Sequence, residues 1–158
     1  MTPLTLETIV STLDAEGEPN FAAMGVVWDE ARVTIRPFLN TRTYRNLTAS
    51  GAAVVNVTDN VLTFARSALS RARLPWFPAR DVPGAVLEEA CHWREVRVER
   101  VRLPAGEGAP PRAEVVAAVV GGGQRRPFSG LCRAKHAVVE ASIVASRLRF
   151  VPLAEALG

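Results

Sequence analysis

The sequence predicts a β-rich barrel with helices around it. Three features carry that reading. Residues 6–37 hold three β-branched or apolar segments joined by short turns, the pattern of an antiparallel meander. Further strand-like runs follow at 52–57, 95–103 and 114–120, so strands outnumber helices. Long helical periodicity appears only once, near the end of the chain.

Taken in order, Leu6 to Leu13 is apolar and β-branched, and Asp14 to Pro19 contains Glu-Gly-Glu-Pro, a turn signal. Asn20 to Trp28 is apolar enough for a strand covered on both faces. Asp29-Glu30 turns the chain into Arg32–Pro37, which alternates. Asn40-Thr41-Arg42-Thr43 is rich in helix-capping residues, so two helical turns are expected over Tyr44–Ser50, with Gly51 as the C′ residue. Ala52–Val57 reads as a buried strand, and Asp59 or Asn60 can cap a helix over Val61–Leu69. Residues 70–84, with three prolines, suggest an irregular but ordered loop. Glu95–Leu103 reads as a half-exposed strand and 104–111 as a flexible connection. Glu114–Val120 is then a strand ended by Gly121-Gly122-Gly123, a glycine run expected to be a loop. The last element, a long helix at about 131–148, has apolar residues at 131, 134, 137, 138, 141, 145 and 148. Arg133, His136, Glu140 and Arg147 share another of its faces.

The 158 residues, 48% of them hydrophobic, suit a single domain over 1–158 with a substantial core. No apolar run approaches the ~20 residues of a membrane span. The start, Met-Thr-Pro-Leu-Thr-Leu-Glu, lacks the pattern of an export signal, so a cytoplasmic protein with reduced Cys91 and Cys132 is expected. The net charge is only +3, and Lys135 is the one lysine beside 18 arginines, a skew that suits a GC-rich genome. A nucleic-acid surface should cluster arginine without acids. Only Arg66, Arg71, Arg73 and Arg80 do so, whereas Glu95 and Glu99 interrupt the other arginine-rich stretch.

Several residues invite a chemical reading, each with a plain structural alternative. Asn40, Arg42, Thr43, Arg45 and Asn46 lie at a strand-to-helix transition. There, outward-pointing amides and arginine forks suit a phosphate; an ordinary capped helix would use the same residues. Met24, Gly25 and Val26 could let a strand approach a flat ligand closely, or simply pack a core. His136 and Glu140 stand one helical turn apart, as an acid–base pair or a structural contact would. Cys91-His92 and Cys132-x3-His136 lack the spacing of a zinc site, and no metal is expected. Neither a Gly-x-Ser-x-Gly elbow nor a dinucleotide fingerprint is present.

Five segments in order carry a resemblance. They are Leu6–Thr12, Asn20-x-Ala-x-Met-Gly-Val26, Arg36-Pro-Phe-x5-Thr-Tyr-x-Asn-Leu47, Val54–Asp59 and Arg133–Leu148. Together they resemble the DUF447 family of the FMN-binding split-barrel superfamily, which also holds flavin reductase-like and pyridoxamine-phosphate-oxidase-like proteins. The likeness covers 6–70 and 128–150 well. It implies a six-stranded antiparallel split β-barrel, mainly β with peripheral helices, and a homodimer with FMN at its interface. On that resemblance, Met24, Gly25 and Val26 would line the flavin ring. Asn40, Arg42, Thr43 and Asn46 would hold the phosphate, and Asn56 would sit near the ring or ribityl chain. His136 and Glu140 would reach the partner's site. Relatives are expected to run some tens of residues beyond the long helix, where this chain ends at Gly158. Many also carry proline where Ala23 stands.

Three functions follow as expectations. The first is an FMN-dependent oxidoreductase or flavin reductase-like enzyme acting on a small molecule, with a family-level link to methanopterin-dependent C1 metabolism. The second is a non-catalytic FMN carrier or sensor. The third is a basic nucleic-acid-binding barrel, which the interleaved acids disfavour.

Overall fold

A computed structural model describes residues 4–105, 111–129 and 132–156. In chain order the elements are β1 (Leu4–Leu13), β2 (Pro19–Trp28), β3 (Arg32–Ile35), α1 (Arg42–Ser50), β4 (Ala52–Val57) and α2 (Val61–Leu69). Then come β5 (Trp76–Pro78), β6 (Ala85–Leu87), β7 (His92–Arg102), β8 (Glu114–Gln124), α3 (Arg133–Arg147) and α4 (Leu153–Ala156). Six strands close a barrel in the order β1-β2-β3-β8-β7-β4, every neighbouring pair antiparallel. β5 and β6 form a separate hairpin-like pair. The six-stranded antiparallel barrel expected from the sequence is therefore present.

Alternation along the strands sorts the side chains. Val10, Val26, Val33, Ile35, Ala53, Val55, Val96, Val115 and Ala117 fill the barrel interior, as period-2 geometry requires. α1 closes the end at which β1 turns into β2, and its Leu47 is fully buried in that interior. Outside the barrel, Ile9 of β1 and Phe21 of β2 pack with Phe64 of α2, while Val139 and Ile143 of α3 lie against them. A third cluster joins Ala52 and Val54 to Val82, Val86, Phe77 and Trp93. No helix among the described residues is long and apolar enough to cross a membrane.

The local signals act as their chemistry dictates. Asp14 Oδ1 accepts from the N–H groups of Glu16 and Glu18, and Gly17 adopts φ 83° to complete the β1–β2 turn. Gly51 ends α1 at φ 67°, its N–H bonded to Leu47 O. Asn60, rather than Asp59, caps α2: its Oδ1 accepts from the N–H groups of Leu62 and Thr63.

Three features depart from expectation. Gly121, Gly122 and Gly123 are not a loop; they continue β8, paired with Glu95, Arg94 and Trp93. The glycines are needed because other groups occupy that space. A Cβ on Gly121 would lie 2.9 Å from Asp81 Cγ, and one on Gly123 would lie 2.5 Å from the Trp93 ring. The loop carrying Asp81 is pinned by Glu95, a carboxylate only 2% exposed. Glu95 accepts from the backbone N–H groups of Arg80 and Asp81 and from the Trp93 indole N–H. Second, β2 is not covered on both faces in one chain; only Phe21 and Val26 are buried along it. Third, the apolar stripe of α3 faces away from the barrel. Val138 is 41% and Leu148 48% exposed, with Ala134, Ala137 and Ala141 exposed beside them. Lys135, Val139, Ser142, Ile143 and Ser146 form the inward side instead. Leu131, at the head of the expected stripe, and 106–110 of the expected flexible connection lie outside the described residues.

Candidate functional site

α1 starts as the chain leaves β3. Thr41 caps it: its Oγ1 accepts from Tyr44 N–H at 3.3 Å and donates to Phe38 O at 2.7 Å. The first turn holds no acid. The N–H groups of Arg42 and Thr43 have no partner among the described residues, as is usual for first-turn amides. Asn40 and Arg45 are exposed next to them. Arg42 reaches Asp14, Nη2 to Oδ2 at 3.1 Å. The Glu18 N–H first, then the Glu16 N–H and Arg42, hold the Asp14 carboxyl below its ordinary range.

Thr43 and Asn46 turn inward. Thr43 Oγ1 accepts from Asn20 Nδ2 at 3.0 Å, and Asn46 Nδ2 donates to Thr12 Oγ1 at 3.1 Å. Both are buried, and these bonds dock α1 on the ends of β1 and β2. The side chains that attract attention in the sequence therefore fix the helix; its amides and the two arginines face out.

Along β2, Met24 and Val26 point into the barrel, where Val26 belongs to the core and Met24 packs against it. Gly25 faces outward between them. A Cβ there would sit 3.2 Å from Thr5 Cγ2 and 3.3 Å from Glu7 Oε1, so β1 side chains already lie over this glycine. Asn56 is completely buried. Its Nδ2 donates to Ile9 O, Ser11 Oγ and Val54 O, and its Oδ1 accepts from Leu87 N–H at 2.9 Å. Those bonds tie β4 to β1 and β6 and leave no group of Asn56 facing outward.

His136 and Glu140 stand on α3 at the rim of a cavity of about 360 Å³. Its walls are Leu6, Val57, Val61, Phe64 and Val139. The structure brings to them Glu7 of β1, a residue that no motif or periodicity singles out. Burial first, then the facing Glu140, pushes the Glu7 carboxyl above its ordinary range, while Arg147 opposes the rise. Asp59 also lines the cavity but is spent: its oxygens accept from Arg126 Nη2 at 2.6 Å and Ser129 N–H at 2.8 Å. The Arg126 bond above all, with Ser129, holds its carboxyl far below the carboxylate range.

A second unforeseen group lies beyond the end of β3. Phe38 is stacked on Phe150, ring centroids 4.3 Å apart, while the Arg112 guanidinium sits 4.0 Å from the Phe38 ring centre. Burial, and then the like charges of Arg147 and Arg36, lower the proton affinity of Arg112. Arg112 is joined to the approach to α1 by the Phe38–Arg112 bridge and by Leu39 N–H bonding to Pro111 O. No sequence motif announces this cluster, because it draws on the segments after β3, before β8 and after α3.

The cysteines and histidines do not gather. Cys91 is buried, and that burial raises its thiol. Cys132 is exposed at the start of α3, where the N–H groups of Lys135 and Ala134 lower its thiol. His92 packs edge-on against Trp28, and burial followed by Arg94 lowers its proton affinity. Among the described residues no three His, Cys, Asp or Glu side chains could hold a metal ion.

Comparison with known proteins places this geometry in context. No curated protein matches the sequence. Among solved structures, the barrel resembles an FMN-bound DUF447 protein of Methanosarcina mazei, with TM-score 0.73 and 23% identity over 97% of this chain and 80% of that one. It also resembles nitrilotriacetate monooxygenase component B of Bacillus cereus, with TM-score 0.64 and 18% identity over 86% and 78% of the two chains. For the flavoredoxin of Desulfovibrio vulgaris the values are 0.60 and 15%, over 79% and 70%. At these identities the likeness establishes the fold. The family model described as the N-terminal domain of a protein of unknown function, DUF447, matches residues 6–126, which hold the six barrel strands but for the first two residues of β1, and the chain belongs to that family.

Proposed function

We propose that the protein is an FMN-binding flavoprotein, working as a homodimer and passing electrons from a reduced donor to a small acceptor. The observation that carries this is the start of α1: outward amides at Arg42 and Thr43, no acid in the first turn, and Arg42 and Arg45 beside them. Helix dipole and guanidinium forks there favour a phosphate. The description of the Methanosarcina mazei relative as FMN-bound supplies the identity of the nucleotide.

The residues present fit that group. Arg42 can turn from Asp14 to a phosphate without stranding the carboxylate, because the Glu16 and Glu18 N–H groups still hold Asp14. Thr43 and Asn46 act by anchoring the helix start on Asn20 and Thr12. Asn40, exposed at the rim, offers a further donor. Met24 and Val26 stiffen β2 from inside the barrel, and Asn56 fixes β4 against β1. Bound FMN supplies the redox chemistry, and the protein supplies position, charge and shelter. α3 would bring His136 and Glu140 to the flavin side. Its outward stripe of Val138, Leu148 and alanines supports pairing with a second copy, since a soluble helix ordinarily turns such a stripe to a partner.

The test is the visible spectrum of the purified protein, followed by titration with FMN. Yellow protein releasing stoichiometric FMN is expected. Removing two charge-assisted contacts with the Arg42→Ala/Arg45→Ala double variant should weaken FMN at least about tenfold, since one such bond contributes about 1.5–3 kcal/mol. A colourless protein that takes up no added FMN overturns the proposal; an unchanged affinity in the double variant moves the phosphate elsewhere.

A further inference from the structure

The cavity between α3, the start of α2 and β1 has a character of its own. Its volume of about 360 Å³ falls within the range of roughly 300–1,000 Å³ usual for small-molecule sites. The floor is apolar, with Val57, Val61, Phe64 and Val139. At one side Glu7 of β1 and Glu140 of α3 face each other across the rim. Neither carboxylate has a hydrogen bond or an ion pair among the described residues. The other acid, Asp59, is fully used by Arg126 and the Ser129 N–H. Lys135 lines the same cavity and also borders the neighbouring recess formed with Asp59 and Glu89, but it makes no ion pair with either glutamate among the described residues.

Two unbridged carboxylates beside an apolar chamber repel an anion and are relieved by a cation. An N–H-rich cationic head can bond both at once, whereas a lone metal ion would find only two protein ligands here. We propose that this cavity binds a small molecule with a compact apolar body and an amidine- or amine-type head, the head bridging Glu7 and Glu140. The proposal shares Glu140 with the flavin reading but rests on the lining of this cavity alone.

The pH dependence follows from the groups that face Glu7. On α3 these are Glu140, Arg147, His136 and Lys135; Cys132 stands at its start, Asp59 lies on the β4–α2 connection, and Thr5 is on β1 itself. Burial and Glu140 make Glu7 hold its proton to higher pH than an ordinary glutamate. Cation binding requires that proton to leave, so affinity falls as the pH drops through the Glu7 value.

Benzamidine is the probe, with benzoate as its charge-reversed control, each titrated calorimetrically into the full-length protein. Saturable one-to-one binding of benzamidine is expected, with none of benzoate. Glu7→Gln and Glu140→Gln, which keep the side-chain shape and remove the charge, should each weaken benzamidine at least tenfold, with thermal melts confirming that both variants fold. Val139→Trp, which fills the chamber, should abolish binding. Equal binding of the two probes, no saturation with benzamidine, or unaltered affinity in both glutamine variants overturns the assignment. The flavin spectrum of the same sample is read separately, so loss of either result leaves the other standing.

Discussion

Replacing Asp59 with alanine should loosen the long helix. Asp59 lies just beyond β4, and its side chain is 6% exposed. One oxygen takes Arg126 Nη2 at 2.6 Å and the other takes Ser129 N–H at 2.8 Å. Arg126 and Ser129 belong to the segment that follows β8 on the way to α3, so this carboxylate ties that segment to the barrel beside the apolar packing of Val139 and Ile143. A hydrogen bond to a charged group contributes about 1.5–3 kcal/mol. Two of them, discounted because the Arg126 side chain is 34% exposed, come to about 3 kcal/mol. For a chain of this length, about 2–4 °C of melting temperature per kcal/mol gives a drop of about 6–12 °C. The pH dependence has a definite sign. The folded carboxyl lies below its unfolded value of about 3.9. The stabilisation is therefore present above that value and is lost as the pH falls through the folded one. Thermal melts of wild type and Asp59→Ala at pH 7 and pH 3 check this: the gap should be wide at neutral pH and narrower in acid. Hydrogen exchange should quicken first across α3. A variant melting within 1 °C of wild type at neutral pH, with α3 protected as before, would refute the assignment of this tie.

Three further predictions concern a buried amide, a crowded glycine and the exposed face of α3. Asn56→Ala strands the Leu87 N–H and removes the bonds to Ile9 and Ser11; it should cost about 2–4 kcal/mol, read by urea unfolding. Gly121→Ala pushes a methyl into the Asp81 side chain and should cost about 1–3 kcal/mol by overpacking. Its companion effect is faster proteolysis of 79–84, which an unaltered digest would contradict. Val138→Glu, on the outward stripe of α3, should leave the melt of the single chain nearly unchanged while shifting sedimentation from dimer to monomer.

How much of this was legible beforehand depends on the distance over which each residue's role is decided. The turns and caps rest on neighbours within four residues, and there the chemistry of Asp14 and Gly51 speaks plainly, whereas Asp59 and Asn60 both offer a cap and the folded start of α2 selects Asn60. Gly121 to Gly123 do not, because glycine composition favours loops and the reason for these three lies in Asp81 and Trp93, remote in sequence. Thr43 and Asn46 carry the ambiguity of their type. The same hydroxyl and amide serve a phosphate or a neighbouring strand, and only the docking of α1 onto Thr12 and Asn20 shows which they now do. Glu7 was invisible because one glutamate in a strand is ordinary until Glu140 is folded against it. The periodicity of α3 announced a helix correctly but could not say which face turns inward.

The two regions of interest lie at different heights on one strand. Asn20 meets α1 at the start of β2, and Gly25 meets Glu7 five residues on. At about 3.3 Å per residue they are about 17 Å apart along the strand. A ligand joining them must be long, with an anion at the α1 end and a head that tolerates carboxylates at the other. Arg42 and Arg45 stand at the helix start, Arg112 feels Arg147 and Arg36, and Glu7 feels Glu140 and Arg147. Arg147 couples to both Arg112 and Glu7, so it stands where the basic and acidic portions of the surface meet. Reversing that residue with Arg147→Glu should therefore act in two directions at once. It should raise the Glu7 value further by adding a third carboxylate, and it should ease Arg112 by removing a like charge. A side chain that merely decorated the end of α3 would do neither, and proton titration of Glu7 by carboxyl-detected NMR distinguishes the two.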